Sequence, residues 1–127
     1  MEYKTLSNGK KIPMIGYGVF LIDDGTCERC VSDALEIGYR HIDTAQAYMN
    51  ERAVGAAIRN SGIARDDIFI TTKVKFAYYG GLAYDSVCRS VEKMGVDYID
   101  LCLLHQPYGD VYRAWRDLER LYNLYVK

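Results

Sequence analysis

The sequence predicts an α/β fold in which four parallel strands alternate with four helices, after an initial β-hairpin. Two observations support this prediction: the hydrophobic period switches repeatedly between strand and helix, and a glycine follows several helical segments. Strand–helix repeats of this kind join parallel strands through right-handed crossovers. No polar linker or low-complexity run interrupts the pattern, so residues 1–127 are expected to form one domain.

The first part of the chain contains the hairpin and two strand–helix units. TLSNGKKIPMIG predicts a hairpin around the turn dipeptide Asn8-Gly9, and GVFLI predicts a strand. CERCVSDALEIG predicts the first helix, which ends at Gly38. YRHIDTA then predicts a strand, and NERAVGAAIRNSG predicts a second helix with Asn50 as its N-cap and Gly62 at its end.

The pattern continues in the second part. IFITTKV is rich in β-branched residues and predicts a strand, while YIDLCLLH is nearly all apolar and predicts a strand covered on both faces. YDSVCRSVEKMG predicts a third helix that ends at Gly95, and VYRAWRDLERLYNLY predicts a fourth. The inner faces expected for these helices are Val87, Cys88, Val91 and Met94 in the third, and Val111, Ala114, Trp115, Leu118, Leu121 and Tyr122 in the fourth.

Three polar residues, Asp43, Lys73 and His105, each follow the apolar part of a predicted strand. They are separated by 30 and 32 residues, and one strand–helix unit is about 30 residues long. Adjacent parallel strands would therefore bring them to the same face of the sheet, and Tyr48 lies in the loop after the first of these strands. Chemistry in (β/α) barrels takes place at that face, so the placement favours a barrel over a doubly wound sheet.

Together these four side chains predict a proton donor that faces a carbonyl group. A free tyrosine has a pKa of about 10, and a nearby ammonium group favours the phenolate and lowers that pKa. We expect Lys73 to act in this way on Tyr48, Asp43 to keep the lysine charged, and His105 to orient a substrate oxygen. One such residue alone is more often structural, and His41 is expected to be so.

The segments GYRHIDTAQAYMNE, IFITTKV and YIDLCLLHQP are similar to the signatures of the aldo-keto reductase family, in the same order and spacing. The resemblance extends from SNGKKIPMIGYGVF to GDVYRAWRDLERLY, which is nearly the whole chain. It implies NADPH as the hydride source, an aldehyde or ketone as the small-molecule substrate, and Tyr48 as the proton donor. One departure is Met49, which stands where the family often has glycine and would narrow the pocket. The implied lining residues are Gly18, Val19, Phe20 and Asp43 for the cofactor, and Phe20, Tyr48 and His105 for the substrate.

The resemblance also implies that the fold is the N-terminal half of a (β/α)8 TIM barrel, truncated after the fourth helix. A complete barrel has about eight strands, and most of the NADPH site in family members lies in the later ones. The edges of a half barrel keep unpaired backbone groups, so we expect self-association through them. The alternative function is therefore a catalytically incompetent barrel half that binds partners or dimerises.

Composition argues against several other classes of protein. The 16 Lys and Arg residues nearly balance 17 Asp and Glu residues, which gives no electrostatic reason to expect nucleic acid or an anionic membrane as partner. Aromatic residues make up 13% of the chain. A surface that binds single-stranded nucleic acid also needs a basic groove beside such rings, and the sequence does not predict one. The N-terminus has no signal-peptide core and no segment approaches the length of a membrane span, so a cytoplasmic location is expected.

The C-x-x-C formed by Cys27 and Cys30 leaves a redox pair or half a zinc site as a further alternative. Both cysteines fall on the apolar face of the first predicted helix, and no second C-x-x-C follows. Free cysteine commonly behaves as a small buried hydrophobic residue. Reduced thiols and no metal site are therefore expected.

Overall fold

A four-stranded parallel sheet, in the order β3-β4-β5-β6, forms the centre of the computed structural model, which describes residues 1–127. Each strand is followed by a helix, as the alternating hydrophobic period predicts. The strands are β3 Tyr17–Gly18, β4 His41–Asp43, β5 Phe69–Val74 and β6 Leu101–Leu104. The helices are α1 Asp24–Ile37, α2 Glu51–Asn60, α3 Ala83–Met94 and α4 Val111–Leu121. The predicted α/β class is confirmed.

The predicted hairpin precedes this sheet. Strands β1 (Tyr3–Thr5) and β2 (Lys11–Pro13) pair antiparallel, and Gly9 in the turn between them has a positive φ of 82°. Short 3-10 turns also flank the strands of the main sheet, at Gln46–Tyr48, Arg65–Asp67 and Phe76–Tyr78. The first of these turns carries Tyr48 directly beyond β4.

Glycine ends two of the helices where the sequence predicts it. Gly38 has a φ of 114° after α1, and Gly95 has a φ of 61° after α3. Both are left-handed conformations that cost glycine little, and each N–H binds carbonyl groups in the last turn of its helix. Helix α2 ends slightly earlier than predicted, at Asn60, and Gly62 follows with a φ of 71°.

The hydrophobic core lies between the sheet and the helices. It is a cluster of 21 buried residues, to which Ile42, Ile70 and Val74 contribute from the strands. Val31 and Val54 meet them from α1 and α2. Burying a side chain of this size stabilises the fold by about 1.5–3 kcal/mol, so the core fixes how the strand ends are arranged relative to one another.

The prediction of a strand at GVFLI, residues 18–22, is wrong for most of its length, because the strand found there is Tyr17–Gly18. Tyr17 and Gly18 pair with β4, and the Val19 N–H makes one further bond to it, at the Asp43 carbonyl. The chain then turns, and the Val19 carbonyl accepts a hydrogen bond from the Ile22 N–H at 3.2 Å. The Asn50 amide donates to the Val19 and Ile22 carbonyls at 3.0 and 2.9 Å and stabilises this turn. Asn50 therefore occupies the predicted N-cap position of α2 without making a capping bond.

Two helix faces also differ from the prediction. In α3 the buried inner positions include Ser86 and Ser90, while Cys88 is only half-buried. Helix α4 ends at Leu121, before the predicted end at Tyr125. Trp115 in α4 and Tyr122 directly after it are 56% and 48% exposed. Helix α4 follows the strand at the edge of the sheet, where fewer neighbours are present to cover a second apolar side.

Strand β6 is less covered than its apolar sequence predicts. Leu103 is 40% exposed, whereas a strand covered on both faces would bury it. Leu103 shares its register with Lys73 of β5, so it lies on the side of the sheet that the helices do not cover.

Candidate active site

The side chain of Lys73, near the end of β5, reaches across to the end of β4. Its Nζ donates to Asp43 Oδ2 at 2.7 Å, to the Thr44 carbonyl at 2.9 Å and to Tyr48 Oη at 3.3 Å. An ammonium group has three N–H donors, so all are used. The Lys73 and Asp43 side chains are 14% and 32% exposed, which leaves the pair partly shielded from water. The Thr44 carbonyl is an acceptor that the sequence did not point to.

Tyr48 lies at the centre of this group. Lys73 Nζ is 4.9 Å from the centroid of the Tyr48 ring as well as within reach of its hydroxyl. The Phe20 ring packs against the tyrosine at 5.0 Å, and the His105 ring meets it edge-on at 5.7 Å. The phenol is thus held between an ammonium group, an aromatic ring and an imidazole.

His105 directly follows β6, and its N–H donates to the Val74 carbonyl at 3.1 Å. Burial lowers the pKa of the imidazole below its ordinary value, the Lys73 ammonium lowers that pKa further, and the Asp43 carboxylate opposes both effects. The ring is therefore neutral at pH 7 and can donate from one nitrogen. The four residues predicted as catalytic thus lie together at the ends of neighbouring strands.

The residues predicted to line a cofactor fall into two groups. Gly18 pairs with Asp43, and a Cβ at this glycine would be 3.9 Å from Asp43 Oδ2, so its absence leaves space beside the carboxylate. Phe20 is 64% exposed beside Tyr48. Val19 instead has no exposed surface, and its N–H donates to the Asp43 carbonyl. Its cofactor contact stays a prediction, while its buried side chain anchors the loop.

A buried polar network beneath the site was not anticipated from the sequence. Gln46 accepts a hydrogen bond from the Lys75 N–H at 2.9 Å and donates to Ser86 and Ser90 at 3.1 Å each. Glu51 accepts from the Thr72 hydroxyl at 2.7 Å and from the Ser90 hydroxyl at 3.1 Å. The network joins the loop that carries Tyr48 to β5, α2 and α3. Polar residues at inward helical positions are the only signal that could have revealed it.

Burial raises the pKa of the Glu51 carboxyl above its ordinary value, and the hydrogen bonds from Thr72 and Ser90 oppose the increase. No residue forms a salt bridge with Glu51. This carboxyl therefore belongs to the structural layer under the site and not to the group around Tyr48.

His41 has the structural surroundings expected for it. Its Nε2 lies 2.9 Å from the Thr71 hydroxyl, and its ring packs edge-on against Phe69 at 5.1 Å. Burial lowers the pKa of His41, an effect that Asp43 opposes. His41 comes two residues before Asp43 in β4, so it lies on the same face, one layer further from the strand ends.

The C-x-x-C motif does not have the environment of a redox or metal site. Burial raises the pKa of Cys27 to about 11, which keeps the thiol protonated and unreactive at neutral pH. All four cysteines are free. No group of three or more His, Cys, Asp or Glu side chains is arranged to hold a metal ion.

The largest cavity lies at the other end of the strands. It has a volume of about 520 Å3 and is lined by residues of the hairpin and by groups before β5 and β6, including Lys11, Asp66 and Asp100. Chemistry in barrels is carried by the carboxyl ends of the strands, and the opposite end contributes to stability. Accordingly, we assign the candidate site to the group around Tyr48 and not to this cavity.

Comparison with known proteins agrees with the geometry. A family model described as "Aldo/keto reductase family" matches residues 15–124. The chain belongs to this family. No helix of this aldo-keto reductase chain is both long and apolar enough to cross a membrane.

Two curated relatives are mycobacterial. An aldo-keto reductase of Mycobacterium sp. (strain MCS) is 48% identical over 107 residues, with 84% of this chain and 38% of the relative covered. Aldo-keto reductase Rv2971 of Mycobacterium tuberculosis is 46% identical over 115 residues, with 87% and 41% covered. The chain thus spans about two-fifths of the length of these curated relatives.

Solved structures give the same relation at the level of the fold. An aldo/keto reductase from Brucella melitensis superposes with a TM-score of 0.88 at 43% identity, covering 94% of this chain and 47% of the other. The aldose reductase of Schistosoma japonicum superposes with a TM-score of 0.91 at 30% identity, covering 99% and 51%. The predicted N-terminal half of a (β/α)8 TIM barrel is therefore confirmed, and the family is one of oxidoreductases.

Proposed function

We propose that the protein reduces an aldehyde or ketone to the alcohol, with NADPH as the source of the hydride. The observation that carries this proposal is the contact between the Lys73 ammonium group and both the Asp43 carboxylate, at 2.7 Å, and the Tyr48 hydroxyl, at 3.3 Å. A phenol held in this way is a general acid with a cation beside the charge that it develops.

The proton transfer follows from these contacts. A carbonyl oxygen bound between the Tyr48 hydroxyl and the His105 imidazole accepts a hydrogen bond from each. As hydride bonds to the carbonyl carbon, the O–H bond of Tyr48 breaks and its proton passes to the carbonyl oxygen, which gives the alcohol. The N–H of Lys73 stabilises the phenolate until water returns a proton to it. The neutral His105 ring orients the oxygen without competing for the proton.

The residues present fit the nicotinamide-ribose end of NADPH. Asp43 Oδ1 accepts no hydrogen bond within the chain, so it is free to accept one from a ribose hydroxyl, and Gly18 leaves space beside the same carboxylate. NADPH, when bound, supplies the hydride. The exposed Phe20 ring offers an apolar wall for both cofactor and substrate. Binding of the adenosine phosphate is assigned to no residue of this chain.

The proposal is tested by adding NADPH and an aldehyde to the purified chain and following cofactor oxidation and fluorescence. Tyr48→Phe should lower turnover by about 100-fold to 10,000-fold, the usual contribution of a general acid. Tyr112→Phe is the matched control, because this tyrosine is 78% exposed on α4. Turnover that survives Tyr48→Phe at the level of the control would contradict the proposal.

A second candidate function is a non-catalytic barrel half that dimerises through its sheet edges. It is favoured by the open sheet, in which β3 and β6 each have a single neighbour, and by the 40% exposure of Leu103. This candidate predicts no turnover, weak NADPH binding, and a sedimentation coefficient that rises with protein concentration. Leu103→Lys should reduce the association, and Leu82→Lys, at a residue 51% exposed beside α3, should not. A monomer at every concentration would exclude it.

The remaining partners follow from the proposed reaction. We assign a small carbonyl compound as the substrate and expect neither nucleic acid nor a membrane as partner, because the charge is nearly balanced. The cytoplasmic location stays a prediction, and the free state of the four cysteines is compatible with it.

A further inference from the structure

Tyr79 is a buried residue that neither the motifs nor the proposed reaction account for. It follows the 3-10 turn Phe76–Tyr78 after β5 and is 1% exposed, within the hydrophobic core. A buried tyrosine hydroxyl needs hydrogen-bond partners. Here both partners belong to one residue: the hydroxyl donates to the Gln106 carbonyl at 3.0 Å and accepts from the Gln106 N–H at 3.1 Å.

We propose that Tyr79 is a positioning residue for His105, because its hydroxyl holds both backbone polar groups of the next residue, Gln106. The inference rests on the proposed function, in which His105 orients the substrate oxygen. It concerns the backbone that carries the imidazole and assigns Tyr79 no contact with substrate.

The two hydrogen bonds between the Tyr79 hydroxyl and the Gln106 backbone, called the clamp below, lie where the sheet ends. The N–H of His105 makes the last bond to β5, at the Val74 carbonyl, 3.1 Å away. Beyond this point β5 has ended, and the Lys75 N–H binds the Gln46 side chain instead of a strand. The backbone of Gln106 therefore has no strand to pair with, and the Tyr79 hydroxyl satisfies both of its polar groups.

The clamp restrains the chain on the C-terminal side of His105, where pairing between the strands has ended. The backbone is therefore bonded at His105, to the Val74 carbonyl, and at Gln106, to the Tyr79 hydroxyl. Pro107 restricts the torsions of Gln106 but supplies no N–H, so it does not replace the clamp. The edge-on contact of the His105 ring with Tyr48, at 5.7 Å, thus depends on a hydroxyl on a different loop.

Tyr79→Phe removes the hydroxyl and keeps the ring in the core. The matched control is Tyr78→Phe, since Tyr78 is adjacent and its hydroxyl has no hydrogen-bond partner within the chain. The chain has two histidines, so NMR resolves the imidazole of His105 beside that of His41, which serves as an internal reference.

In Tyr79→Phe the His105 ring signals should shift as the ring moves relative to Tyr48, and the His105 pKa should rise toward its ordinary value as the ring gains access to water. The His41 signals should stay in place, and Tyr78→Phe should change neither histidine. Unchanged His105 signals in Tyr79→Phe, or equal shifts in both variants, would overturn the proposal.

A measurement on the unmodified chain keeps the test decisive if Tyr79→Phe does not fold. The Gln106 amide should exchange with solvent more slowly than the Tyr108 amide, which has no acceptor within the chain. Equal exchange rates would show that the clamp does not form.

Activity supplies a separate readout. Where the chain reduces an aldehyde, Tyr79→Phe should lower kcat by about 10-fold to 100-fold through misplacement of the histidine, with a smaller change in KM. The NMR and exchange results do not depend on turnover. If the unmodified chain is inactive but Tyr79→Phe shifts the His105 signals, the proposed function is contradicted and the positioning role of Tyr79 is supported.

Discussion

At the scale of single residues, the ion pair between Lys73 and Asp43 should contribute to the free energy of unfolding. Asp43→Asn removes the anionic partner at 2.7 Å and leaves an ammonium group whose side chain is 14% exposed. Exposed pairs contribute up to about 1 kcal/mol, and breaking a buried pair costs about 3–5 kcal/mol. We expect an intermediate loss of about 2 kcal/mol in the free energy of unfolding, measured by urea titration at one low protein concentration.

The double variant Asp43→Asn, Lys73→Met separates charge from packing. Methionine fills much of the lysine volume without a charge, so the double variant should regain most of the stability lost in Asp43→Asn. A double variant no more stable than Asp43→Asn would mean that packing and hydrogen bonds, and not the unpaired ammonium group, cause the loss.

Met49 gives a second prediction at this scale. Met49 follows Tyr48 and has a left-handed backbone with a φ of 62°. Its side chain is 78% exposed, so no contact in the core offsets the backbone strain. That conformation costs a residue with a Cβ about 1–2 kcal/mol, partly offset by the greater unfolded-state entropy of glycine. Met49→Gly should therefore stabilise the chain by about 0.5–1 kcal/mol in urea unfolding. Met49→Ala is the control, and equal stability of the two variants would contradict this explanation.

At the scale of the elements, α2 and α3 cross at Gly55. A Cβ added to this glycine would lie 2.0 Å from the Met94 carbonyl oxygen and 2.4 Å from the Met94 Cα. Both atoms are backbone, so the helices themselves would have to separate. Overpacking of this kind costs about 1–3 kcal/mol, which exceeds the gain of up to about 1 kcal/mol from replacing glycine within a helix.

We therefore expect Gly55→Ala to lower the free energy of unfolding by about 1–2 kcal/mol. Gly80→Ala is the matched control, because no heavy atom lies within 4 Å of its added Cβ, and it should change stability by less than about 0.5 kcal/mol. Thermal or urea unfolding measures both. A Gly55→Ala variant as stable as Gly80→Ala would show that the helices separate at little cost.

The elements also show what local sequence can and cannot predict. Hydrophobic period and terminal glycines predict the helices, because both signals depend on neighbours along the chain. The end of β3 depends on Asn50, 31 residues beyond Val19, whose amide holds the turn that replaces the expected strand. Similarly, the helical spacing of Trp115 fits a buried face, but its burial depends on which element lies beside α4.

The same distinction applies to the candidate site. Asp43, Lys73 and His105 could be predicted because the carboxyl ends of neighbouring parallel strands lie at the same face of the sheet. Tyr79 could not be predicted in the same way. Its hydroxyl meets Gln106, 27 residues away, across two loops, and loop conformations carry no period that a sequence displays.

At the scale of the whole molecule, Glu51 links the sheet to the helical layer. Its carboxylate binds Thr72 of β5 and Ser90 of α3 from the start of α2, and the residue is 3% exposed. Burial raises the Glu51 pKa from an ordinary value of 4.5. The contribution of Glu51, which joins α2, β5 and α3, to the free energy of unfolding therefore depends on pH.

The sign of that dependence follows from proton binding. Between the ordinary pKa of 4.5 and the raised folded pKa, the unfolded chain has lost the Glu51 proton while the folded chain still holds it. The folded state then binds more protons, so the free energy of unfolding falls as the pH rises. The contribution is fully present below the unfolded pKa and is lost as the pH passes the raised folded pKa.

Glu51→Gln removes this titration and keeps an amide that can bind both hydroxyl groups. The stability of Glu51→Gln relative to the unmodified chain should therefore increase as the pH rises from about 4.5 and level off above the folded pKa. Urea unfolding at a series of pH values measures the difference. Glu92→Gln, at an exposed position on α3, is the matched control for replacing a glutamate by glutamine. A Glu51→Gln difference that stays constant with rising pH would mean that the hydroxyl groups of Thr72 and Ser90 balance the effect of burial on the carboxylate, and one that shrinks would mean that they outweigh it; either result would contradict the prediction.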